Sequence, residues 1–515
     1  MPPTHHPIVR FILGDQLNYQ HSWFSQRDNN VLYVLMEMRQ ETDYVTHHIQ
    51  KVVGFFAAMR AFAQWLEAEG HQVLYLKLND QQNLQSLPDN LQWIIEKHGC
   101  RKLQYLLPDE YRLDEQMRQM HKILGIEVDG SDTEHFLTTR TELAEFFKGK
   151  KTYLMESFYR QMRRKHGIMM EGKDPVTGQW NYDADNRKSL PDNATVTPPL
   201  VWKHDVQHIV DMINQQGVKT IGNIDATAFP WPINREQSLE LLNYFVQQCL
   251  PHFGTYEDAM HSKHWSVFHS RLSFSMNTKM LSPLEVVNAA IKAWEQHPDK
   301  ITIAQIEGFV RQIIGWREYM RGIYWAHMPS FAKENFFAHK NALPKWYWTG
   351  ETKMRCMQFC VGQSLDKAYA HHIQRLMVMG NFALLAGVHP DEVDQWYLGV
   401  YIDAIEWVEI TNTRGMSQFA DGGIVGTKPY VSSANYINKM SNYCKGCHYD
   451  YKSKTGERAC PFNSLYWHFY DRHRELLEGN PRIGMMYRVW DKMEGKDQKA
   501  TLAQAEYYLG RLDEL

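Results

Sequence analysis

Three cysteines near the carboxyl end of the chain have the spacing of a metal site. Cys444 and Cys447 are separated by two residues, and Cys460 follows them and precedes a proline. A Cys-x-x-Cys turn directs two sulfurs to one side of a loop, and a Cys-Pro pair is common beside iron–sulfur ligands. Four thiolates also suit zinc, so the spacing predicts a metal centre without distinguishing iron from zinc. The fourth ligand must come from elsewhere, and the candidates are Cys356 and Cys360.

His371 and His372 form an adjacent pair of acid–base side chains. An imidazole can donate a proton near neutral pH, where an aspartate is already ionised. The pair therefore suits a reaction in which a proton must be moved. Two neighbouring histidines are also a common feature of a helix surface.

A third candidate is the segment that contains Ser270, Arg271 and Ser273, where the chain enters a predicted helix. It offers hydroxyls, a cation and free backbone N–H groups, which together suit a diphosphate. The alternative is an ordinary helix N-cap with an exposed arginine.

The elements that must position these residues fall into two halves. Residues 1–135 alternate short apolar runs with amphipathic stretches, which predicts an α/β domain with a doubly wound parallel sheet. The predicted helices include His48–Glu69 and Glu110–Leu124. The predicted strands are Ile8–Leu13, Val31–Met38, Gln72–Leu78, Lys102–Leu107 and Ile126–Asp129.

In a doubly wound sheet, ligands bind at the carboxyl ends of the strands. Here those ends carry Gly14–Leu17 after the first strand and Glu37 near the second. These residues are either a ligand site or turn and capping residues. The sequence has no GxGxxG motif and no P-loop, so this half contains no obvious nucleotide site.

Residues 136–228 are interpreted as a connector and residues 229–515 as a large all-helical domain, with the cysteine site between 356 and 460. In the connector, residues 148–173 carry eight Lys or Arg against two Glu. This run is either a solvated helix face or a patch for phosphates. Beyond residue 229, aromatic and Met residues recur at helical spacing.

The composition is that of an ordinary folded protein, with 43% hydrophobic and 22% charged residues and a net charge of −3. This balance argues against disorder and against a basic coat that binds nucleic acid by charge alone. Seven scattered cysteines indicate metal binding or buried thiols rather than disulfides. No apolar run is long enough to cross a membrane. We expect a cytoplasmic monomer.

Several stretches of the helical half together resemble the photolyase/cryptochrome superfamily. They occur in the family's order and separations, behind a doubly wound domain, so the resemblance covers nearly the whole chain. The stretches are His269–Ser273, Leu281–Val286, Gly315–Tyr319, Trp346–Gly350, Ala370–Leu376 and Trp396–Gly399.

The resemblance implies FAD as the cofactor of the helical domain. Arg375 and Glu409 correspond to the family's Arg–Asp pair beside the flavin ring, where the cation favours a reduced, anionic flavin. His269 stands where the family usually has Thr. The implied FAD contacts are Tyr256, His269, Ser270, Arg271, Leu272, Ser273, Arg375 and Glu409.

The four cysteines narrow the resemblance to bacterial iron–sulfur (6-4) photolyases and their cryptochrome-like relatives. In that branch a [4Fe-4S] cluster is held by one upstream cysteine and the three later ones; we expect its role to be structural. The branch also implies a 6,7-dimethyl-8-ribityllumazine antenna near Asp15 and Glu37. The implied cluster ligands are Cys356, Cys444, Cys447 and Cys460.

The implied activity is light-driven repair of (6-4) photoproducts in UV-damaged DNA by electron transfer from reduced FAD. His371 and His372 resemble the histidine pair of animal (6-4) photolyases. We expect His372 to donate the proton, with His371 in support. Leu376 stands where those enzymes have a further His, so their two-histidine mechanism does not transfer whole.

The remaining predictions concern electrons and DNA. Phe419 stands in place of the last Trp of the family's electron-transfer triad. Trp316 and Tyr430 are expected to line the lesion pocket, where an extruded base needs aromatic walls. The expected electron carriers are Trp348, Trp396 and Tyr397. The expected phosphate contacts are Arg163, Arg164 and Lys165.

Three alternatives stay open at the level of sequence. A cryptochrome-type photoreceptor would use the same cofactors for signalling. A nucleic-acid-binding protein stapled by zinc would perform no photochemistry and would be colourless. Repair of cyclobutane dimers is disfavoured, because that group normally has Asn at the position of His372.

Overall fold

The computed structural model describes residues 6–515, and a parallel sheet forms the centre of the amino-terminal part. Its strands are β1 (Ile8–Phe11), β2 (Val31–Met36), β3 (Gln72–Leu76), β4 (Lys102–Leu106) and β5 (Glu127–Ser131). They lie in the order β3-β2-β1-β4-β5, so the strand order reverses between β1 and β4. The predicted doubly wound sheet is confirmed.

Sequence pattern explains this sheet. β2 is buried along its whole length, and its residues are Val-Leu-Tyr-Val-Leu-Met. A strand covered by helices on both faces has such a continuous apolar run. The helices of this part are Arg39–Thr42, Ile49–Ala68, Leu87–His98 and Tyr111–Leu124. Leu87–His98 was absent from the sequence prediction.

The connector contains more regular structure than predicted. Its helices are Glu142–Phe146, Met155–His166 and Gln207–Gln215. A short antiparallel hairpin pairs Met170–Glu171 with Asp174–Pro175. Met155–His166 carries half of the Lys and Arg residues of the basic run, so these four have a fixed helical phase.

The part beyond residue 229 is helical, as predicted, and the described residues there contain no strand. Its α-helices are Arg235–Tyr244, Leu250–Phe253, Ser273–Asn277, Pro283–Gln296, Ile303–Val310, Glu318–His327, Arg355–Lys367, Asn381–Leu385, Pro390–Val400, Glu406–Ile410, Ala434–Met440, Pro461–Arg472, Arg474–Leu477, Gly484–Asp491 and Gly495–Leu509. The π-helical turns that extend some of them are Phe245–Cys249, Arg311–Arg317, Gln374–Gly380 and Thr411–Ser417. Such turns are frequent at functional sites.

The two halves share one core. The helix Ile49–Ala68 packs with Trp231, Phe274 and Ile402 of the helical part. At its start, the His48 side chain accepts a hydrogen bond from the backbone N–H of Gln50. The predicted division into 1–135, 136–228 and 229–515 stays a prediction. Between residues 6 and 515, no helix is long and apolar enough to span a membrane.

Candidate functional site

Arg271 is a buried cation that lacks a carboxylate partner. Its side chain is packed against the rings of Trp231 and Trp265, and one N–H donates to the carbonyl of Leu200. Burial lowers its pKa to about 10, and the side chains that oppose the shift are Tyr369, Cys249 and Tyr244 rather than carboxylates. A buried charge is costly unless it is paired. The site therefore fits an anionic ligand such as a diphosphate.

The residues around Arg271 are partly engaged with each other. The Ser270 hydroxyl accepts a hydrogen bond from the N–H of Leu272, which is fully buried. Ser273 begins the helix that ends at Asn277, and its hydroxyl donates to the carboxylate of Asp403. The short helix leaves its first N–H groups without partners in the preceding turn.

Tyr256 and His269 flank this segment. The Tyr256 ring is stacked on Phe268, with centroids 5.7 Å apart. The Nε2 atom of His269 lies 3.1 Å from the carbonyl of Glu257. Tyr256 is half-buried.

Arg375 lies between two carboxylates, of which the sequence indicated one. Its Nη2 lies 2.9 Å and 3.0 Å from the two carboxylate oxygens of Asp403. Glu409 is more distant, with 3.6 Å between Nη1 and Oε2. Burial raises the pKa of Glu409 to about 7, although Arg375 opposes the shift. Asp403 is thus the main partner, and it also joins Arg375 to Ser273.

His371 and His372 differ sharply in their surroundings. His371 is buried, and its ring is stacked on His269. Burial lowers its pKa well below the usual value. The His372 ring reaches solvent, yet burial by the surrounding protein, with a contribution from Arg375, lowers its pKa to about 4. His372 is thus the exposed member of the pair, and it lies near enough to Arg375 for their charges to interact.

The four predicted cysteine ligands meet at one cavity. Cys356, Cys444, Cys447 and Cys460 are among its lining residues, whereas Cys360 is not. Burial raises the pKa of the Cys444 thiol to about 12, and Cys447 adds to the shift. With no cation bound, burial thus keeps the Cys444 thiol protonated, and a metal centre would favour its thiolate form. In residues 6–515, no group of three or more His, Cys, Asp or Glu side chains is arranged to hold a metal ion.

A larger cavity lies at the carboxyl ends of β1 and β4, where the strand order reverses. Asp15, Asp109 and Ala404 are among its lining residues. Nζ of the buried Lys279 lies 3.1 Å from the Asp15 carboxylate and 3.0 Å from that of Asp109. Lys279 was missed because its partners are distant in sequence.

Glu37 does not line this cavity. Its carboxylate is fully buried and accepts hydrogen bonds from Arg60, the Tyr75 hydroxyl and the N–H of Leu78. The expectation that Glu37 faces a ligand is therefore not met. Its oxygens instead hold the residue that follows β2 against β3 and the turn after it.

Aromatic rings connect Arg375 to the interior. Its guanidinium lies 3.7 Å from the centroid of the Tyr401 ring. Tyr401 contacts Tyr397 at 5.6 Å and Trp396 at 6.0 Å between centroids. Trp396 contacts Tyr347, 5.2 Å away, and Trp348 is next in the chain and 44% exposed. The sequence indicated Trp348, Trp396 and Tyr397 but missed Tyr347 and Tyr401.

Comparisons with known proteins agree with this arrangement. The family model described as deoxyribodipyrimidine photo-lyase-related protein matches residues 10–229. A (6-4) photolyase of Agrobacterium fabrum is 41% identical over 505 residues, which are 98% of this chain and 99% of that protein. The chain belongs to the photolyase/cryptochrome family.

Solved structures of this family share the fold across the whole chain. A bacterial class III photolyase from Agrobacterium tumefaciens has a TM-score of 0.56 at 15% identity and covers 98% of both chains. A Synechocystis cryptochrome has a TM-score of 0.54 at 12% identity and covers 97% of this chain and 94% of its own. At such identities the likeness concerns the fold alone.

Of the DNA contacts predicted for this photolyase/cryptochrome chain, Arg163 is contradicted by the structure. It is 1% exposed, and it donates to the carbonyls of Ile168 and Met169. Arg164 is exposed and lies over the Trp180 ring.

The other predicted DNA contacts are accessible. Lys165 is exposed and pairs with Glu142 at 2.6 Å. Trp316 and Tyr430 are half-buried and pack against the same apolar cluster.

Proposed function

We propose that the protein is a light-dependent (6-4) photolyase that reverses (6-4) photoproducts in UV-damaged DNA. The observation that carries the proposal is the position of His372. It is exposed just before the helical turn Gln374–Gly380, which also bears Arg375. An acid–base group thus faces solvent beside the cation expected at the flavin.

FAD suits the polar groups that converge on the helical part. Arg271 would bind the diphosphate, since a buried cation without a carboxylate needs an anion. Arg375 would lie beside the ring and remain charged, held by Asp403. When bound and fully reduced, FAD supplies an electron to the lesion on illumination.

His372 is proposed to hold and donate the proton that this repair requires. Its low pKa means that the ring is neutral at pH 7 without ligands. Anionic groups within about 4–6 Å favour the charged form, so DNA phosphates and an anionic flavin would raise that pKa. Binding of the substrate would then leave His372 protonated and able to donate its proton.

The cysteine site is proposed to hold a [4Fe-4S] cluster. The four cysteines line one cavity, and the spacing of Cys444 and Cys447, with Cys460 followed by Pro461, suits an iron–sulfur cluster. Because its ligands join the helix Arg355–Lys367 to the loop before Pro461–Arg472, its role is structural.

The cavity at the strand ends is proposed to bind a lumazine antenna. Its mixed apolar and polar lining and its place at the reversal of strand order are typical of a cofactor site. Asp15 would contact the polar groups of the ligand, and Glu37 would hold β2 and β3 in place beside the cavity. Ala404 adjoins Asp403, so the antenna would lie close to the flavin's partner.

DNA, compartment and oligomeric state form the rest of the proposal. Arg164 and Lys165 would bind phosphates around the lesion, and Trp316 and Tyr430 would contact the extruded bases. All seven cysteines are free thiols, which fits a reducing cytoplasm. We expect the protein to act there as a monomer.

A second candidate is a blue-light photoreceptor. The ring contacts from Arg375 through Tyr401 and Trp396 favour light-driven flavin reduction, which signalling would use. A light-dependent assay with an oligonucleotide carrying one (6-4) photoproduct separates the two functions. A photolyase restores the strand in light and not in darkness. A photoreceptor changes its flavin absorption and leaves the lesion intact.

A further inference from the structure

The buried amide of Gln374 ties the histidine turn to its surroundings. Its Oε1 accepts a hydrogen bond from the backbone N–H of His371 at 3.1 Å. Its Nε2 donates to the hydroxyl of Tyr443 at 3.0 Å and to Oε1 of Gln363 at 2.9 Å. Both ends of the amide are therefore in use, and Gln374 is 1% exposed.

Tyr443 carries this connection into the cysteine loop. It directly precedes Cys444 and lines the same cavity as the four cysteines. Its ring is stacked on Phe359 at 5.4 Å, with 18° between the planes. Its hydroxyl also lies near the thiol of Cys360, on the helix that bears Cys356. Ring and hydroxyl are thus both fixed.

The hydrogen bond from the His371 N–H to Gln374 adds to the stacking of the His371 ring on His269, which also holds the turn. Neither ring nitrogen of His371 has a hydrogen-bond partner among the described atoms. The backbone there is held by Gln374 at the N–H and by Arg375, whose N–H groups donate to the carbonyls of Ala370 and His371. His372 is the next residue, so the turn determines where its ring points.

We propose that Tyr443 and Gln374 are positioning residues, which transmit the placement of the cysteine loop to His372. The inference rests on the proposed function, because the position of His372 matters only if a proton is transferred. A misplacement of about 1 Å at a reacting group can cost up to about a hundredfold in rate. The cluster then contributes to repair by holding the proton donor in place.

Tyr443→Phe tests this bridge, because it keeps the ring and its stacking on Phe359 and removes only the hydroxyl. Repair of a (6-4) oligonucleotide per absorbed photon should fall about tenfold. Affinity for the damaged strand and the visible absorption of flavin and cluster should stay unchanged. The solvent deuterium isotope effect on repair should increase, because proton transfer becomes limiting. A loss of packing alone would not move that isotope effect.

Gln374→Met removes the other half of the bridge without touching the cysteine loop. It should give the same loss, and the double variant should be no worse than either single one, because both break one connection. If the Tyr443→Phe protein loses the visible absorption of the cluster, the inference is tested on Gln374→Met alone, by its repair yield and its isotope effect.

Tyr487→Phe is the matched control. This tyrosine is buried in the same core and donates to the carbonyl of Tyr470 at 3.1 Å, away from the histidine turn. For Tyr487→Phe we expect the same repair yield and the same isotope effect as for the wild type. Unchanged repair in folded Tyr443→Phe and Gln374→Met proteins would overturn the inference and leave the photolyase activity standing. Absence of repair by the wild type would instead overturn the proposed function.

Discussion

The rings of His269 and His371 are stacked, with centroids 4.4 Å apart and 12° between their planes. The stack joins the segment of Arg271 to the histidine turn, so the expected diphosphate site and the proton donor share one support. His371 is buried and its pKa is strongly lowered by burial. It therefore acts through packing, and His372 is the member of the pair that can reach a ligand.

Replacement of this accessible histidine should separate binding from chemistry. In His372→Ala, repair of the (6-4) lesion should fall about 10²- to 10⁴-fold, the usual contribution of a general acid. Flavin content and affinity for damaged DNA should persist, because neither depends on the His372 ring. Flavin absorption measures the flavin content, and repair per absorbed photon measures the chemistry. Full repair activity would remove His372 from the mechanism.

Arg271 should affect flavin binding and stability in opposite directions. Arg271→Gln should weaken FAD binding about tenfold or more, because charge-assisted hydrogen bonds to the diphosphate are lost. The flavin-free variant should be at least as stable as flavin-free wild type, since a buried unpaired charge is removed. Flavin titration and thermal unfolding measure the two effects. Arg511→Gln, at an exposed arginine outside the Arg271 site, is the control. Equal FAD affinities of the Arg271→Gln and Arg511→Gln proteins would contradict the assignment of Arg271 to the diphosphate.

The two upstream cysteines provide an internal comparison for the metal site. Cys356→Ser should lose the visible absorption of the cluster and lower the melting temperature, because the clamp between the helix and the loop opens. Cys360→Ser should retain both properties, since Cys360 lies outside the cavity and serine preserves a partner for Tyr443. Iron and sulfide analysis with a melting curve tests each variant. Cluster-free Cys356→Ser protein with an unchanged melting temperature would refute a structural role.

Acid should destabilise the protein through a histidine pair far from the proposed active site. The Nε2 atoms of His339 and His473 lie 3.1 Å apart, and burial, aided by Arg472, lowers both pKa values to about 3. The unfolded chain binds protons near pH 6.5, so the pair's stabilisation is present above that pH and is lost as the pH falls toward 3.

His473→Phe should therefore flatten the pH dependence of the unfolding free energy between pH 6.5 and 4. The slope should decrease by up to about 1.4 kcal/mol per pH unit. Denaturant unfolding at a series of pH values measures this slope. His208→Gln, at an exposed histidine, should leave it unchanged. Parallel curves for His473→Phe and wild type would contradict the assignment.

The sequence predicted best what depends on local pattern. The alternation of apolar runs located all five strands of the sheet, and the cysteine spacing located three of the four side chains at the metal cavity. The sequence prediction failed where contacts between distant segments determine the partner or the burial of a side chain. Asp403, rather than Glu409, is the main partner of Arg375, and nothing in its local sequence indicates this. Arg163 belongs to a basic run, but the phase of its helix turns it into the core while Arg164 faces solvent.

The central claim is tested most directly by lesion selectivity in one light-dependent assay. Reduced, flavin-loaded protein is illuminated without oxygen with two matched oligonucleotides, one carrying a (6-4) photoproduct and one a cyclobutane dimer. Restoration of the (6-4) strand alone is the predicted result, because His372 can supply the proton that this lesion needs. Restoration of the cyclobutane dimer alone, or of neither strand, would contradict the account.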